Sequence, residues 1–138
     1  MTELTDRDLT GRIINAFYCV YDELGYGFLE TVYKNALALE FALRGIPFAR
    51  EHDVEVYYKG SKISRYRADF VVDGRVTLEV KATFAIDDGD RRQLRNYLKA
   101  TEIELGFLLH FGPKASFHRL IHTNDRKRSL RPAVVSRP

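Results

Sequence analysis

The chain has 138 residues, of which 45% are hydrophobic and 30% charged, and its formal net charge at pH 7 is +3. These values are typical of one soluble globular domain with a buried core, and no apolar run is long enough to span a membrane. The polar start of the chain is unlike a signal peptide, and the single cysteine, Cys19, excludes an internal disulfide. We therefore predict a cytoplasmic protein without a membrane partner.

Positive charge is concentrated at the C-terminal end. Residues 121–138 contain five basic residues and one acidic residue, Asp125, so this segment carries +4 and the other 120 residues carry −1. Two prolines and few large apolar side chains in 123–138 predict a flexible basic tail that follows a single domain at 1–122. Such a tail binds nucleic acid or an acidic partner through its charge, or is a solvated end.

Two helices begin the predicted fold. The first is amphipathic and ends at Gly25, with Leu9, Ile13 and Phe17 on its buried side and Cys19 packed along the same apolar stretch. The second covers residues 28–44, before Gly45 and Pro47. Its predicted buried face consists of apolar residues at helical spacing, namely Leu29, Val32, Ala36, Leu39 and Leu43.

Strands and one more helix complete the predicted order α-α-β-β-β-α-β-β. Alternating residues predict a strand over 53–59, and turn signals connect it to a hairpin over 63–84. A third helix is expected from about Asp88 to Ala100, followed by a doubly covered strand at 104–112 and an edge strand at 116–122. This order predicts an α/β domain with a mixed central β-sheet flanked by helices.

Burial selects the register of the second hairpin. A register in which paired residue numbers sum to 148 pairs Phe70 with Leu78 and places the apolar side chains of both strands on one face. The same register gathers Asp69, Glu79 and Lys81 on the opposite face. The packing of the hairpin therefore predicts a cluster of two carboxylates and one ammonium.

Such a cluster has a chemical and a structural interpretation. Two neighbouring carboxylates resist ionising together unless a cation lies between them, and Mg²⁺ prefers oxygen ligands of this kind. A nearby lysine can orient a water or neutralise charge on a phosphate. By itself the pattern also fits a surface ion-pair cluster on a half-exposed sheet.

Three features elsewhere in the chain strengthen the chemical interpretation. Glu30 stands in the first turn of the second helix behind two glycines, although a helix dipole also favours an acid there, and Tyr33 follows one turn later. In the third helix Gln93 and Tyr97 are four residues apart and share a face with Asp90. This helix could pack over the polar face of the Glu-x-Lys strand.

The stretch Gly-Phe-Leu-Glu-Thr-Val-Tyr at 27–33 matches the Gly-x-x-Glu-x-x-Tyr signature of the GxxExxY family. From about Leu9 to Ile121 the chain resembles this family, which is assigned to the PD-(D/E)XK nuclease-like superfamily. The segment Arg-Ala-Asp-Phe-Val-Val-Asp-Gly-Arg-Val-Thr-Leu-Glu-Val-Lys-Ala-Thr at 67–83 is similar to the superfamily core. The resemblance implies a restriction-endonuclease-like fold.

The resemblance also implies roles for individual residues. Glu30, Asp69 and Glu79, with the backbone carbonyl of Val80, would hold Mg²⁺ or Mn²⁺. Lys81 would help deprotonate or position the attacking water, and Asp69 and Glu79 count with it as catalytic residues. The implied function is divalent-metal-dependent hydrolysis of phosphodiester bonds in nucleic acid, which is the function we predict.

Other assignments follow more loosely from the same comparison. Gln93, with Tyr97, would form the downstream helix motif, and we include Gln93 among the predicted catalytic residues. The chain departs from its relatives at Asp90, where histidine is frequent, so the role of this residue is open. The alternative function is a non-catalytic module of the same fold that binds nucleic acid or protein. A homodimer would allow both strands of a duplex to be cut, although no residue in the sequence predicts one.

Nucleic-acid contacts are expected on two surfaces. Tyr33 and Tyr97 are candidates near the site. On the first hairpin, tyrosines interleave with basic residues, as in surfaces that combine stacking and phosphate binding, although an ordinary amphipathic hairpin fits equally well. The basic candidates are Lys59, Lys62, Arg65 and Arg67.

Overall fold

A computed structural model describes residues 6–127 and 134–136 of the chain. Its three α-helices are α1 (Asp6–Leu24), α2 (Glu30–Leu43) and α3 (Asp88–Ala100). The bounds of α3 agree with the prediction from sequence, and Asp87 and Asp90 form a reciprocal capping box at its start. None of the helices in the described part of the chain is long and apolar enough to cross a membrane.

In the described part of the chain, six strands form one mixed sheet in the order β5-β4-β3-β2-β1-β6. Only β3 and β4 are parallel to each other, and the other neighbouring pairs are antiparallel. The predicted mixed α/β fold is therefore confirmed. The strands are β1 (Phe48–Tyr58), β2 (Ser61–Val72), β3 (Val76–Lys81), β4 (Leu105–Phe111), β5 (Ala115–Ile121) and β6 (Val134–Ser136).

Two hydrophobic clusters hold the helices against the sheet. The larger joins α1 and α2 to side chains of β2, β3 and β4, including Phe70, Leu78 and Val80. The smaller joins α3, through Tyr97, to Val71 and other residues of β1 and β2. The sheet is thus covered by α1 and α2 on one face and by α3 on the other, and β4 is buried along its whole length as predicted.

The hairpin register predicted from burial is confirmed. β2 and β3 pair Phe70 with Leu78, Val71 with Thr77 and Val72 with Val76, so the residue numbers sum to 148. The ladder ends at Phe70 and Leu78, immediately before the two acidic residues of the candidate site.

The predicted buried face of α2 is wrong. Leu29, Leu39 and Leu43 are 80%, 62% and 74% exposed, whereas Tyr33 and Phe41 are fully buried. Both aromatic rings pack against aromatic residues of the sheet, with ring centroids 4.2 Å and 5.6 Å apart. Because the helix is apolar on several sides, the two rings and Leu37 between them form the interface with the sheet, and the other leucines lie outside.

Three smaller expectations also need correction. Cys19 is exposed rather than packed. β1 begins at Phe48, five residues before the expected start at 53, and the Phe48 ring packs between those of Phe41 and Phe70. In the segment expected to be a free tail, β6 pairs with β1, and the Lys127 ammonium donates hydrogen bonds to two carbonyls after α3, at 2.9 and 2.7 Å. Residues 128–133 and 137–138 lie outside the described part of the chain.

Candidate active site

A glycine-containing turn delivers Glu30 to the site. Gly25 and Gly27 have φ angles of 69° and 119°, a region that side chains with a Cβ rarely adopt. The turn allows the chain to leave α1 and enter α2 at Glu30, where the carboxylate also lies at the favourable end of the helix dipole. Burial and the nearby Asp69 raise the pKa of Glu30 above its ordinary value.

Tyr33 secures this turn from inside the protein. Its hydroxyl donates to the Gly25 carbonyl at 2.5 Å and accepts from the Phe28 N–H at 3.2 Å. Its ring stacks on Phe111 of β4, with centroids 4.2 Å apart. Glycine, glutamate and tyrosine at three-residue spacing therefore act together, because the tyrosine fixes the turn that positions the glutamate.

Asp69 and Glu79 lie where the ladder between β2 and β3 ends. Asp69 is 8% exposed and Glu79 is 1% exposed. The Asp69 Oδ2 atom accepts a hydrogen bond of 2.7 Å from the Val80 N–H. The aspartate side chain thus takes the place of the β2 carbonyl that would continue the ladder between the two strands. Because the N–H and C=O of one strand residue point to the same neighbour, the Val80 carbonyl also faces this gap between strands.

Glu79 is the most strongly perturbed acid of the site. Burial, and then the charge of Asp69, raise its pKa to about 9. Its Oε1 atom is fully buried and has no hydrogen-bond partner within the described residues. A buried carboxyl with an unsatisfied oxygen beside a second carboxylate is an environment that a bound cation would stabilise.

A lysine that sequence reasoning missed lies among the carboxylates. The Lys34 Nζ is 3.2 Å from Asp69 Oδ1, 3.1 Å from Glu51 Oε1 and 3.8 Å from Glu30 Oε2. Burial opposes the charged form of Lys34, but Asp69 and Glu51 more than compensate, so its pKa is raised. Across residues 6–127 and 134–136, no three acidic, histidine or cysteine side chains are arranged to hold a metal ion by themselves. The Lys34 ammonium thus lies between the carboxylates of Asp69 and Glu30, two of the three that the sequence predicts to converge.

Glu51 is the second residue that the sequence did not reveal. Its φ angle is 52°, which is uncommon for a residue other than glycine, and the pairing of β1 with β2 is interrupted there between Arg50–Phe70 and His52–Ala68. Residues on either side of this irregularity face different helices. Phe70 packs with α1 and α2, whereas Ala68 packs with α3. The side chains of β2 therefore change the face of the sheet on which they pack at Asp69. This change helps the Asp69 carboxylate to point toward the edge of β3.

Lys81 is held from the opposite side of the site. Its ammonium donates to the Gln93 Oε1 at 3.3 Å and lies 3.7 Å from the Asp90 Oδ1. Asp90 also accepts from the Asp87 N–H at 3.1 Å. The open question about Asp90 thus has a structural answer, since this residue both caps α3 and pairs with Lys81. Gln93 lies over the polar face of β3, as the sequence predicted.

Tyr33 and Tyr97, the two predicted nucleic-acid contacts near the site, lie in the protein interior. Both are fully buried, so neither ring offers a face on which a base could stack. The Tyr97 hydroxyl is 2.7 Å from the His52 Nδ1, and burial and the charge of Glu79 raise the pKa of this phenol. Both residues are better explained by packing and positioning.

The basic hairpin carries nearly as many acids as bases. Arg67 forms a two-pronged pair with Asp53 at 2.7 and 3.2 Å, Arg65 lies 3.6 Å from the same aspartate, and Lys62 lies 3.7 Å from Glu55. Lys59 differs, because its ammonium lies over the ring of the neighbouring Tyr58, 5.3 Å from the ring centroid. Most basic side chains of the hairpin are thus neutralised by ion pairs, and the hairpin does not form a strongly positive surface.

The fold and site together define a class of protein. A mixed sheet between helices, with an aspartate and a Glu-x-Lys triplet on adjacent strands, is the arrangement expected of a PD-(D/E)XK core. The family model described as the PD-(D/E)XK nuclease superfamily matches residues 7–120, so the chain belongs to that superfamily.

A solved structure described as the crystal structure of SSO0001 is similar with a TM-score of 0.48 and 18% identity, covering 88% of this chain and 71% of that chain. No curated protein matches the chain.

Proposed function

We propose that this protein is a divalent-metal-dependent nuclease that hydrolyses phosphodiester bonds in nucleic acid. The observation that carries the proposal is Glu79, a buried carboxyl with an unpartnered oxygen among the described residues and a pKa of about 9, beside Asp69 and two residues before Lys81. A structural ion pair would leave neither the oxygen unsatisfied nor the acid protonated at neutral pH. Membership of the nuclease superfamily supports the same function.

The residues present fit a hard divalent ion. Asp69, Glu79 and Glu30 offer carboxylate oxygens, and the Val80 carbonyl faces the same gap between strands, so these four groups would hold Mg²⁺ or Mn²⁺. When bound, such an ion supplies Lewis acidity toward a phosphate oxygen and acidifies a bound water. The Gly-x-x-Glu-x-x-Tyr turn that places Glu30 also supports membership of the GxxExxY family within the superfamily.

The residues of the chain have distinct tasks in this proposal. Lys81, steadied by Gln93 and Asp90, donates to the scissile phosphate or to the attacking water, so that charge developing on the phosphate meets a fixed ammonium. Asp69 is itself held by the Val80 N–H, which limits its rotation. The water oxygen forms the new bond to phosphorus as the bond to the leaving sugar oxygen breaks, and the proton lost by the water neutralises that oxygen.

The test is a cleavage panel with purified protein. Labelled single-stranded and double-stranded DNA and RNA are incubated with wild type or Glu79→Gln in Mg²⁺, Mn²⁺ or EDTA. We expect wild type to cut at least one substrate with metal, and neither EDTA nor the variant to allow cutting. Binding without cleavage in every condition would instead support the non-catalytic module. Sedimentation of the same samples tests the homodimer, which stays a prediction.

A further inference from the structure

The position of Lys34 suggests that the acidic site contains its own counter-ion. Lys34 lies one helical turn after Glu30, so it enters the site from α2, whereas Lys81 enters from β3 and is held by α3. Its side chain is only 15% exposed. Of these two lysines, Lys34 forms the ion pair with Asp69, whereas Lys81 pairs with Asp90.

The two oxygens of Asp69 have different partners. Oδ2 accepts the Val80 N–H at 2.7 Å, and Oδ1 lies 3.2 Å from the Lys34 ammonium. The oxygen left free by the backbone is therefore the one that Lys34 contacts. A divalent ion on that oxygen would lie within a few ångströms of the ammonium, and two cations at such a distance repel each other strongly in a poorly solvated site.

Glu51 already shares the Lys34 ammonium with Asp69, so it remains as a partner when the contact with Asp69 is lost. Its Oε1 is 3.1 Å from the Lys34 Nζ, and its side chain is 39% exposed, on the solvent side of the cluster. The Lys34 side chain can leave Asp69 while keeping its pair with Glu51, without unfolding any part of α2. The exchange therefore needs only side-chain rotation.

We propose that Lys34 is an exchangeable counter-ion, which contacts both Asp69 and Glu51 in the metal-free protein and keeps only Glu51 when a divalent ion binds. The inference rests on the proposed function, because it concerns the same metal site. It assigns to Lys34 the role of a positioning residue that sets the metal concentration at which the site fills. Linked occupancies of neighbouring sites change affinity by about 5- to 150-fold.

Calorimetric titration with Mn²⁺ tests the effect of the charge. We expect Lys34→Gln to bind Mn²⁺ at least about tenfold more tightly than wild type. Lys62→Gln is the matched control, since it removes an exposed lysine from a single pair with Glu55, and it should bind like wild type. Unchanged or weaker binding by Lys34→Gln overturns the inference. Absence of binding by both wild type and Lys34→Gln overturns the proposed metal site as well, whereas binding by Lys34→Gln alone supports the inference.

A measurement on the wild-type protein makes the result independent of how the variant folds. The side-chain ¹³Cε signal of Lys34 is followed by NMR during a Mg²⁺ titration, with Lys62 as the internal reference. We expect the Lys34 signal to move with the midpoint of metal binding and the Lys62 signal to stay in place. A Lys34 signal that does not move while the metal binds would overturn the exchange.

Discussion

Neutralising Glu79 should stabilise the metal-free protein. The pKa of this carboxyl rises from an ordinary 4.5 to about 9 through burial and the charge of Asp69. Because the pKa is higher in the folded protein, the protonated Glu79 carboxyl contributes its full share of stability below pH 4.5. This contribution is lost as the pH rises toward 9. In Glu79→Gln, which has nearly the same shape, no proton has to be taken up on folding.

The size of the effect follows from the same values. Each pH unit above the unfolded pKa lowers the stability of wild type by about 1.4 kcal/mol, which sets an upper limit of about 4 kcal/mol at about pH 7.5. Water entry and side-chain relaxation reduce this limit, and we expect Glu79→Gln to be more stable by about 2 kcal/mol.

Urea unfolding in EDTA at several pH values measures the difference between the two proteins. The advantage of Glu79→Gln should grow from near zero at low pH to its full size at neutral pH. Saturating Mn²⁺ should then stabilise wild type and leave the variant unchanged. A variant that is less stable at neutral pH, with no dependence of the difference on pH, would show that Glu79 is a structural partner of Lys81.

Three further variants test individual parts of the structure. Tyr33→Phe removes the hydrogen bond to Gly25 and should lower the free energy of unfolding by about 1 kcal/mol relative to Tyr18→Phe. Equal stability of the two variants would show that the Tyr33 hydroxyl does not hold the turn before α2. Lys59→Gln should weaken nucleic-acid binding more than Lys62→Gln, whose lysine is already paired with an acid. The slope of the logarithm of affinity against the logarithm of salt concentration should fall by about one unit more in Lys59→Gln. Equal effects would mean that the ion pairs of the hairpin do not reduce its binding to phosphates. Lys127→Met removes two hydrogen bonds to backbone carbonyls and should lower the free energy of unfolding by about 2 kcal/mol. Lys114→Met, at an exposed lysine, is the control. A loss no larger than that of the control would mean that Lys127 does not hold this segment to the residues after α3.

The β2–β3 hairpin shows what the sequence can specify. Alternation of apolar residues allows only one register that buries Phe70 and Leu78 together, and the structure has that register. Because register fixes the face of every side chain, the relative positions of Glu79 and Lys81 follow from packing alone. Local signals were similarly sufficient for α3, where the capping residues mark the start of the helix.

The second helix shows where local patterns are insufficient. Apolar residues occur on several sides of α2, so apolar spacing alone cannot indicate which side meets the sheet. The choice depends on Phe70 and Phe111, which come from distant parts of the chain. The predicted face was wrong for this reason.

The two missed site residues differ in how far the sequence could have revealed them. Lys34 follows Glu30 by four residues, and this helical spacing places the two side chains on one face. Glu51 has no such signal, because its position depends on an uncommon backbone conformation and on pairing with a distant strand.

The central claim is that Lys81 acts in the cleavage step, whereas Asp69 and Glu79 hold the metal. The single-turnover cleavage rate of Lys81→Ala at saturating Mn²⁺, on the labelled nucleic acid that wild type cuts best, tests this division most directly. We predict a rate at least about 100-fold below wild type with unchanged affinity for Mn²⁺. Cleavage by Lys81→Ala at the wild-type rate would contradict the account.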